Sequence, residues 1–232
     1  MITTNKAISS INYYNEIAAS YNSRQTASDR VARERISKLF SQYVFSGNVL
    51  DFGGGTGLDL SWLAHAGYHI FFLEPSANMR LFAKQMKLSP ENNNRINFIE
   101  TNTDFYQWTP NTLPFYEKMD GILINFAVLN SISNLPLFFR KIRMVCKEGC
   151  YLIISLIDAR PGITLKKHGI SRFARQIICG KSYFYVHFNG LTHKTFIYPV
   201  QYLRNCSSRY FNYVFSQFDD LSDFTTVIFS AK

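Results

Sequence analysis

The chain has 232 residues, 47% hydrophobic and 18% charged, which suits one folded domain with a substantial core and excludes a disordered chain. No apolar run approaches the ~20 residues of a membrane-spanning helix, and the opening Met-Ile-Thr-Thr-Asn-Lys lacks the apolar segment of a secretion signal. Net charge is +9 and unevenly placed: residues 159–218 hold nine cations and no Asp or Glu. These are Arg160, Lys166, Lys167, Arg172, Arg175, Lys181, Lys194, Arg204 and Arg209, leaving 16 basic residues to balance the 16 acidic ones elsewhere. Such segregation suits an anionic substrate or partner, with a merely solvated basic face as the alternative. Cys146, Cys150, Cys179 and Cys206 form no C-x-x-C pair and have apolar neighbours. They read as core thiols of a cytoplasmic protein, and no metal site or disulfide framework is expected.

Residues 9–45 read as helical. Ser10 is placed to cap a helix that carries Ile11, Tyr14, Ile17, Ala18 and Tyr21 at three- and four-residue spacings. A second helix from about Ala27 carries Val31, Ile36, Leu39, Phe40 and Tyr43, with Gly47 as its stop. Asn48-Val-Leu50 then leads into Asp51-Phe-Gly-Gly-Gly-Thr-Gly-Leu-Asp59, and Leu60-Ser-Trp-Leu-Ala64 is helical. Strand, glycine turn and helix in that order make the first unit of a doubly wound α/β sheet. Glycine at 53, 55 and 57 lets the backbone turn tightly and approach a ligand, while the helix N–H groups face an anion. A dinucleotide turn wants G-x-G-x-x-G, but here the third glycine comes one residue early, at Gly57 instead of Leu58.

Tyr68-His-Ile-Phe-Phe-Leu73 reads as a second strand ending at Glu74. A carboxylate there, about twenty residues past the turn, can accept hydrogen bonds from both hydroxyls of a ribose, whether of NAD or of another nucleoside cofactor. Ser76 is placed to cap the next helix. Residues 95–100 form the third strand, residues 108–116 a loop with Pro110 and Pro114, and residues 119–125 the fourth strand. That strand ends beside the glycine turn at the topological switch point, which makes Asn125 and Phe126 candidates for ligand contact. A helix over 136–145, a turn at Lys147-Glu-Gly149 and a fifth strand over 150–157 follow. Residues 163–179 read as a basic amphipathic helix, and residues 182–188 and 191–198 as a hairpin about Asn189-Gly190. Residues 210–218 and 224–231 read as closing strands.

Asp51-x-Gly-x-Gly-x-Gly57 resembles motif I of the class I S-adenosylmethionine (SAM) dependent methyltransferases, in their small-molecule, type 11/25-like branch. Tyr13-Tyr-Asn-Glu-Ile-Ala-Ala-Ser-Tyr-Asn22 resembles that family's "Y-[DN]-x-I-A-x-x-Y-[DN]" opening. Glu74-Pro-Ser-Ala-Asn-Met79 resembles its "D/E-x-S-x-x-M" signature, and residues 146–155 its "L-K-x-G-G-x-L-x-I-S" block, with Cys150 for the second glycine. The likeness covers residues 12–158. It implies an α/β fold: a Rossmann-like seven-stranded sheet, parallel with an antiparallel last strand, and helices on both faces. As one domain, this would comprise a helical lid over 9–45, a SAM-binding core over 46–158, a basic substrate-side insertion with a β-hairpin over 159–209, and a closing β-hairpin over 210–232.

The cofactor contacts the resemblance implies are Asp51, Gly53, Gly55, Thr56, Gly57, Glu74, Pro75, Met79, Asn102, Thr103, Asn125 and Phe126. Met79 would lie against the adenine, and Asn102 stands where the family has an acid, with Asp104 as the alternative acceptor. Tyr14, Tyr21, Asn130, Tyr183, Tyr185 and Tyr198 are the candidates for a substrate pocket. His168, His187, His193 and Tyr21 are the candidates for a base, because the histidine that many relatives carry near the position of Asn130 is absent. N-P-P-[YF], the pattern of enzymes that methylate nucleic-acid amines, is also absent, which argues against DNA adenine.

Methyl transfer from a sulfonium chiefly needs alignment and exclusion of water, with a base only for an acceptor that arrives protonated. The expected activity is in-line transfer from SAM to an O or N atom of a small, anionic or carrier-bound metabolite, with S-adenosylhomocysteine as product. Three alternatives stay open: an RNA methyltransferase using the basic third, an NAD-dependent oxidoreductase, and a SAM-binding scaffold without turnover.

Overall fold

Apolar side chains crowd both faces of the central strands, which forces helices onto both sides of the sheet. The computed structural model describes residues 2–218 and 222–232. Helices α1 (Ile2–Tyr21) and α2 (Ala27–Tyr43) precede β1 (Asn48–Phe52), α3 (Leu60–His65), β2 (His69–Leu73) and α4 (Ala77–Lys84). A one-turn α5 (Pro90–Asn93), β3 (Ile96–Ile99), β4 (Met119–Ile124), α6 (Leu135–Arg143) and β5 (Cys146–Ile157) follow. The last third holds α7 (Pro161–His168), α8 (Ile170–Cys179), β6 (Ser182–Phe188), β7 (Leu191–Ile197), α9 (Val200–Ser207), β8 (Phe211–Phe218) and β9 (Phe224–Ala231).

Seven strands form one sheet in the order β3-β2-β1-β4-β5-β9-β8, with β9 antiparallel to both β5 and β8. The order reverses between β1 and β4, so their C-terminal ends frame a crevice. Val49, Leu123, Ile153 and Ile228 pack with Phe40, Leu60 and Leu63 on one face. Leu50, Ile122, Ile154 and Phe229 pack with Phe138, Phe139 and Ile142 on the other. Adjacent residues of one strand thus feed opposite cores, as a period of two requires. Phe40 is fully buried and meets Trp62 and Tyr68 edge to face, a burial that contributes roughly 1.5–3 kcal/mol.

Several local expectations are corrected. Ser10 lies inside α1, which runs through it from Ile2, so it caps nothing. The capping signal lies in α2, where Thr26 Oγ1 accepts from Asp29 N and the Asp29 carboxylate accepts from Thr26 N. That helix stops where Val44 turns extended, not at Gly47, which sits in the turn into β1. The turn expected at 147–149 is absorbed into β5 by a register shift against β4 between Met119 and Gly121. Residues 163–179 make two helices because Gly169 breaks the path at φ +84°. Helix α9 was not anticipated, although Pro199 just ahead of Val200 marks its start.

The hairpin forms as expected, with Asn189 at φ +46° and Gly190 at φ +75° in its turn, and stands as a separate two-stranded sheet. Cys146 and Cys150 are buried, whereas Cys179 is exposed on α8 and Cys206 is half-buried, so two of the four thiols are not core groups. No described helix is long and apolar enough to cross a membrane.

Candidate active site

The glycine turn hangs from β2: the N–H groups of Gly53 and Gly54 donate to Leu73 O at 2.7 and 3.3 Å. Gly53 adopts φ +74°, and a Cβ on it would come within 2.5 Å of Val128 Cγ1, so glycine is required there. Beside the turn, Glu74 Oε2 accepts from Gly55 N at 3.0 Å and Oε1 from Ser76 N at 2.8 Å. Burial nonetheless pushes the Glu74 carboxyl above its ordinary value, against the pull of those two N–H groups and of Arg80. Ser76 Oγ caps α4 by accepting from Met79 N at 3.2 Å and donates to Asn15 Oδ1 at 2.7 Å, which brings α1 down onto α4.

Under the turn lies a second carboxylate. Asp51 is 1% exposed, and its Oδ2 has no hydrogen-bond partner among the described residues. Burial, and then the charge of Asp59, pushes its carboxyl well above the usual range, with Arg33 opposing. Asp59 itself is well served: Arg33 pairs with it, Trp62 Nε1 donates at 2.8 Å and Asn125 Nδ2 at 3.0 Å. Just past β4, Phe126 and Ala127 both take positive φ (+48° and +64°), uncommon for residues with a side chain and concentrated at ligand crevices.

A cavity of about 520 Å³ opens above the turn. Gly53, Gly55, Glu74, Pro75, Met79, Thr103 and Phe126, all expected as cofactor contacts, line it. Asp51, Thr56 and Asn125 line a recess of about 30 Å³ behind the turn, and Gly53, Gly55 and Phe126 face both spaces. Gly57 and Asn102 line neither. Gly57 shapes the turn against Leu60 and Ala83, and Asn102 O accepts from the buried Trp108 Nε1 at 2.7 Å. Asp104 lines the cavity, and its carboxylate also accepts from Tyr106 N at 3.0 Å.

Helix α1 roofs the cavity with Ser10, Ile11, Tyr14 and Tyr21, and the hairpin walls it with Tyr185, Thr192, Lys194 and Phe196. Tyr14, Tyr21 and Tyr185 therefore stand where a substrate pocket was expected, but Asn130, Tyr183 and Tyr198 do not. Asn130 is fully buried and joins three elements, Nδ2 donating to Phe196 O at 2.6 Å and Oδ1 accepting from Ile157 N at 3.1 Å. Tyr198 is fully buried with its hydroxyl on Ile132 O at 2.6 Å, and the Tyr183 ring lies under Lys194 Nζ at 3.5 Å.

His168 stacks on Phe184 and His187 meets Thr192 Oγ1 at 3.0 Å, both outside the cavity lining. His193 lies just behind the wall, its Nδ1 3.1 Å from Ser10 Oγ and its Nε2 3.2 Å from Ser131 Oγ. Desolvation pushes its pKa down to about 4, so the ring is neutral at neutral pH. Burial pushes the phenols of Tyr14 and Tyr21 up, so both stay protonated. Ser131, Ser133, Tyr106, Lys194 and Phe196 line the cavity without having been foreseen. Only the hairpin pair carried a signal: Lys194 and Phe196 share one strand face with Thr192 at period two.

A sequence profile described as a methyltransferase domain matches residues 23–198. The chain belongs to that family. Membership sets aside the oxidoreductase reading of the glycine turn. No curated protein sequence matches the methyltransferase. Among solved structures it resembles DhpI in a DhpI–SAM–HEP complex, at 14% identity and TM-score 0.69, covering 99% of each chain. It also resembles a putative S-adenosylmethionine dependent methyltransferase from Listeria monocytogenes, at 14% identity and TM-score 0.66, covering 88% of this chain and 99% of that one. A third likeness is to Burkholderia thailandensis 1,6-didemethyltoxoflavin-N1-methyltransferase, at 14% identity and TM-score 0.64, covering 94% of this chain and 87% of that one.

The orphaned Asp51 oxygen has a measurable consequence for the ligand-free methyltransferase. Its pKa is raised by folding, so the stability it contributes is present below the unfolded value and lost as pH rises through the folded one. Asp51→Asn is therefore expected to raise the Tm of the ligand-free protein at pH 8 by about 2–4 °C, the effect of ~1 kcal/mol in a chain of this size. The gain should shrink toward pH 4, which thermal melts across that range would test.

Proposed function

We propose that this methyltransferase moves the methyl group of SAM to an O or N atom of a small, anionic acceptor, leaving S-adenosylhomocysteine. One observation carries the reading: the glycine turn and Glu74 open into the same cavity as Lys194, Ser131 and Phe196, so donor and acceptor would share one space. Family membership supports methyl transfer, and the printed names of the structural neighbours include SAM-bound and S-adenosylhomocysteine-bound enzymes with small-molecule or glycopeptide substrates.

The residues present suit that cofactor. Each Glu74 oxygen spends one lone pair on a backbone N–H and keeps another for a ribose hydroxyl. A Cβ on Gly55 would meet nothing nearer than Tyr21 at 4.0 Å, so the bare backbone leaves room on the cavity side. The recess is of water size, and the orphaned Asp51 oxygen at its floor suits the ammonium of an amino acid tail held above it. When bound, SAM supplies a methyl group already activated on a sulfonium, which leaves alignment and exclusion of water to the protein.

Alignment falls to α1 and the hairpin. Tyr14, Tyr106 and Phe196 offer flat apolar walls, and Lys194 supplies a cation at the acceptor end. A nitrogen with pKa about 4 is a weak proton sink, so His193 orients the Ser131 hydroxyl instead of acting as the base. The site therefore favours an acceptor that arrives as an anion, such as a phenolate or carboxylate, its charge stabilised by Lys194.

Lys194→Met is expected to raise KM for the anionic acceptor about 10–100-fold, the worth of one charge-assisted hydrogen bond, while leaving SAM affinity within about twofold. Calorimetry with SAM, S-adenosylhomocysteine and NAD, followed by radiolabelled methyl transfer to a panel of small phenols, carboxylates and amines, would measure both. Absence of SAM binding overturns the reading. Methylation confined to RNA would replace the acceptor class.

A further inference from the structure

Helix α8 is amphipathic the wrong way round for a helix that packs on its own protein. Its polar side faces inward: Gln176 is buried with Nε2 donating to Ala159 O at 2.6 Å, and Arg172 donates to His168 O at 2.7 Å and Tyr183 O at 3.3 Å. Its apolar side faces out. Ile170, Ile177 and Ile178, which with Ala174 fall at i, i+4, i+7 and i+8, are 76%, 64% and 82% exposed. Leu165 on the adjoining α7 is also 45% exposed. A single exposed isoleucine needs no explanation, but three on one face of one helix, with an exposed Leu165 on the neighbouring helix, do.

We propose that α7 and α8 form a face that docks on the surface of an anionic lipid bilayer. The charges around the stripe choose this occupant. Lys166 and Arg175 flank it and are exposed, and residues 159–218 contain no carboxylate side chain. Asp219 and Asp220 follow that span outside the described residues, and among the described residues the nearest carboxylates beyond it, Asp158 and Asp223, are engaged by Arg160 and Lys167. An apolar helical stripe bordered by cations lies in the plane of a membrane with its side chains among the acyl chains and its charges among acidic headgroups. A second copy suits the face poorly, because a two-fold axis would set Lys166 and Arg175 of one chain against the same cations of the other.

Docking also orients the rest of the molecule. Arg172 ties α8 to β6 through Tyr183 O, and the hairpin carries Tyr185 and Lys194 into the cavity wall. The inference goes beyond methyl transfer and does not depend on it, since its test reads lipid binding alone.

The test is sedimentation of the full-length protein with phosphatidylcholine vesicles, with and without phosphatidylglycerol, at low and high salt. Wild type is expected to bind the phosphatidylglycerol vesicles at least about tenfold better, and to lose that preference in high salt. Ile177→Ser combined with Ile178→Ser, at positions already in solvent, should reduce binding about tenfold or more with an unchanged circular dichroism spectrum and melt. Wild type remaining in the supernatant overturns the proposal, as does equal binding to both vesicles or unchanged binding by the double variant. A dimer in sedimentation velocity that the double variant abolishes, without vesicle binding, overturns it in favour of a second copy. Saturable binding to an acidic carrier protein with no vesicle binding overturns it likewise.

Discussion

Glu74→Ala is expected to weaken SAM binding by ~100-fold or more, with acceptor KM changed far less. A hydrogen bond to a charged group contributes about 1.5–3 kcal/mol, and the proposed pair of ribose hydroxyls would lose two. The substitution also strips Gly55 N and Ser76 N of their acceptor, loosening the glycine turn and the start of α4 together. Glu74→Gln separates the two effects. Its amide oxygen keeps one of those N–H partners while its NH₂ cannot accept, so an intermediate loss of about tenfold is expected. Calorimetry at pH 7.5 would measure both. Because burial raises the pKa of Glu74, wild-type affinity should itself fall as acid protonates this carboxyl, and the Ala variant should lack that dependence. Unchanged affinity in Glu74→Ala would show that the sugar lies elsewhere.

The second large effect concerns stability. Asn130→Ala is expected to destabilise the protein by about 2–6 kcal/mol, because two backbone groups, the buried Phe196 O and the part-buried Ile157 N, lose their partner at about 1–3 kcal/mol each. In a chain of this size the Tm should drop on the order of 10 °C. Urea titration and a thermal melt of the ligand-free protein would check it. A pocket residue would behave differently, lowering activity with the melt intact. The same substitution thus discriminates a fastener between β5, β7 and the turn after β4 from a substrate contact.

Some features of this site were legible in the sequence because they are local. The glycines at 53, 55 and 57, the acid at the end of β2 and the serine cap before Met79 each follow from backbone demands within a few neighbours. The sheet was legible for a similar reason, since short continuous apolar runs bounded by turns specify buried strands one at a time. The acceptor end was not, because it is assembled from distant segments. Ser131 and His193 are 62 positions apart, and Asn130 lies 66 positions from Phe196. Nothing near Asn130 or Tyr198 announces that the polar end of each will bond to a buried carbonyl instead of facing a ligand. The α8 stripe shows the same limit: periodicity identifies an apolar side, but only tertiary contacts of Arg172 and Gln176 decide that this side is turned away from the protein.

The roof of the cavity implies an order of assembly. Ser10, Tyr14 and Glu16 of α1 reach partners 183, 117 and 173 positions away, in β7, the turn after β4 and the hairpin tip. A chain emerging from the ribosome makes α1 before the hairpin, so Ser10 and Glu16 must wait for the hairpin before they can bond to it. The closing of that space is a late event with high entropic cost, while the strands and helices beneath it can already have condensed.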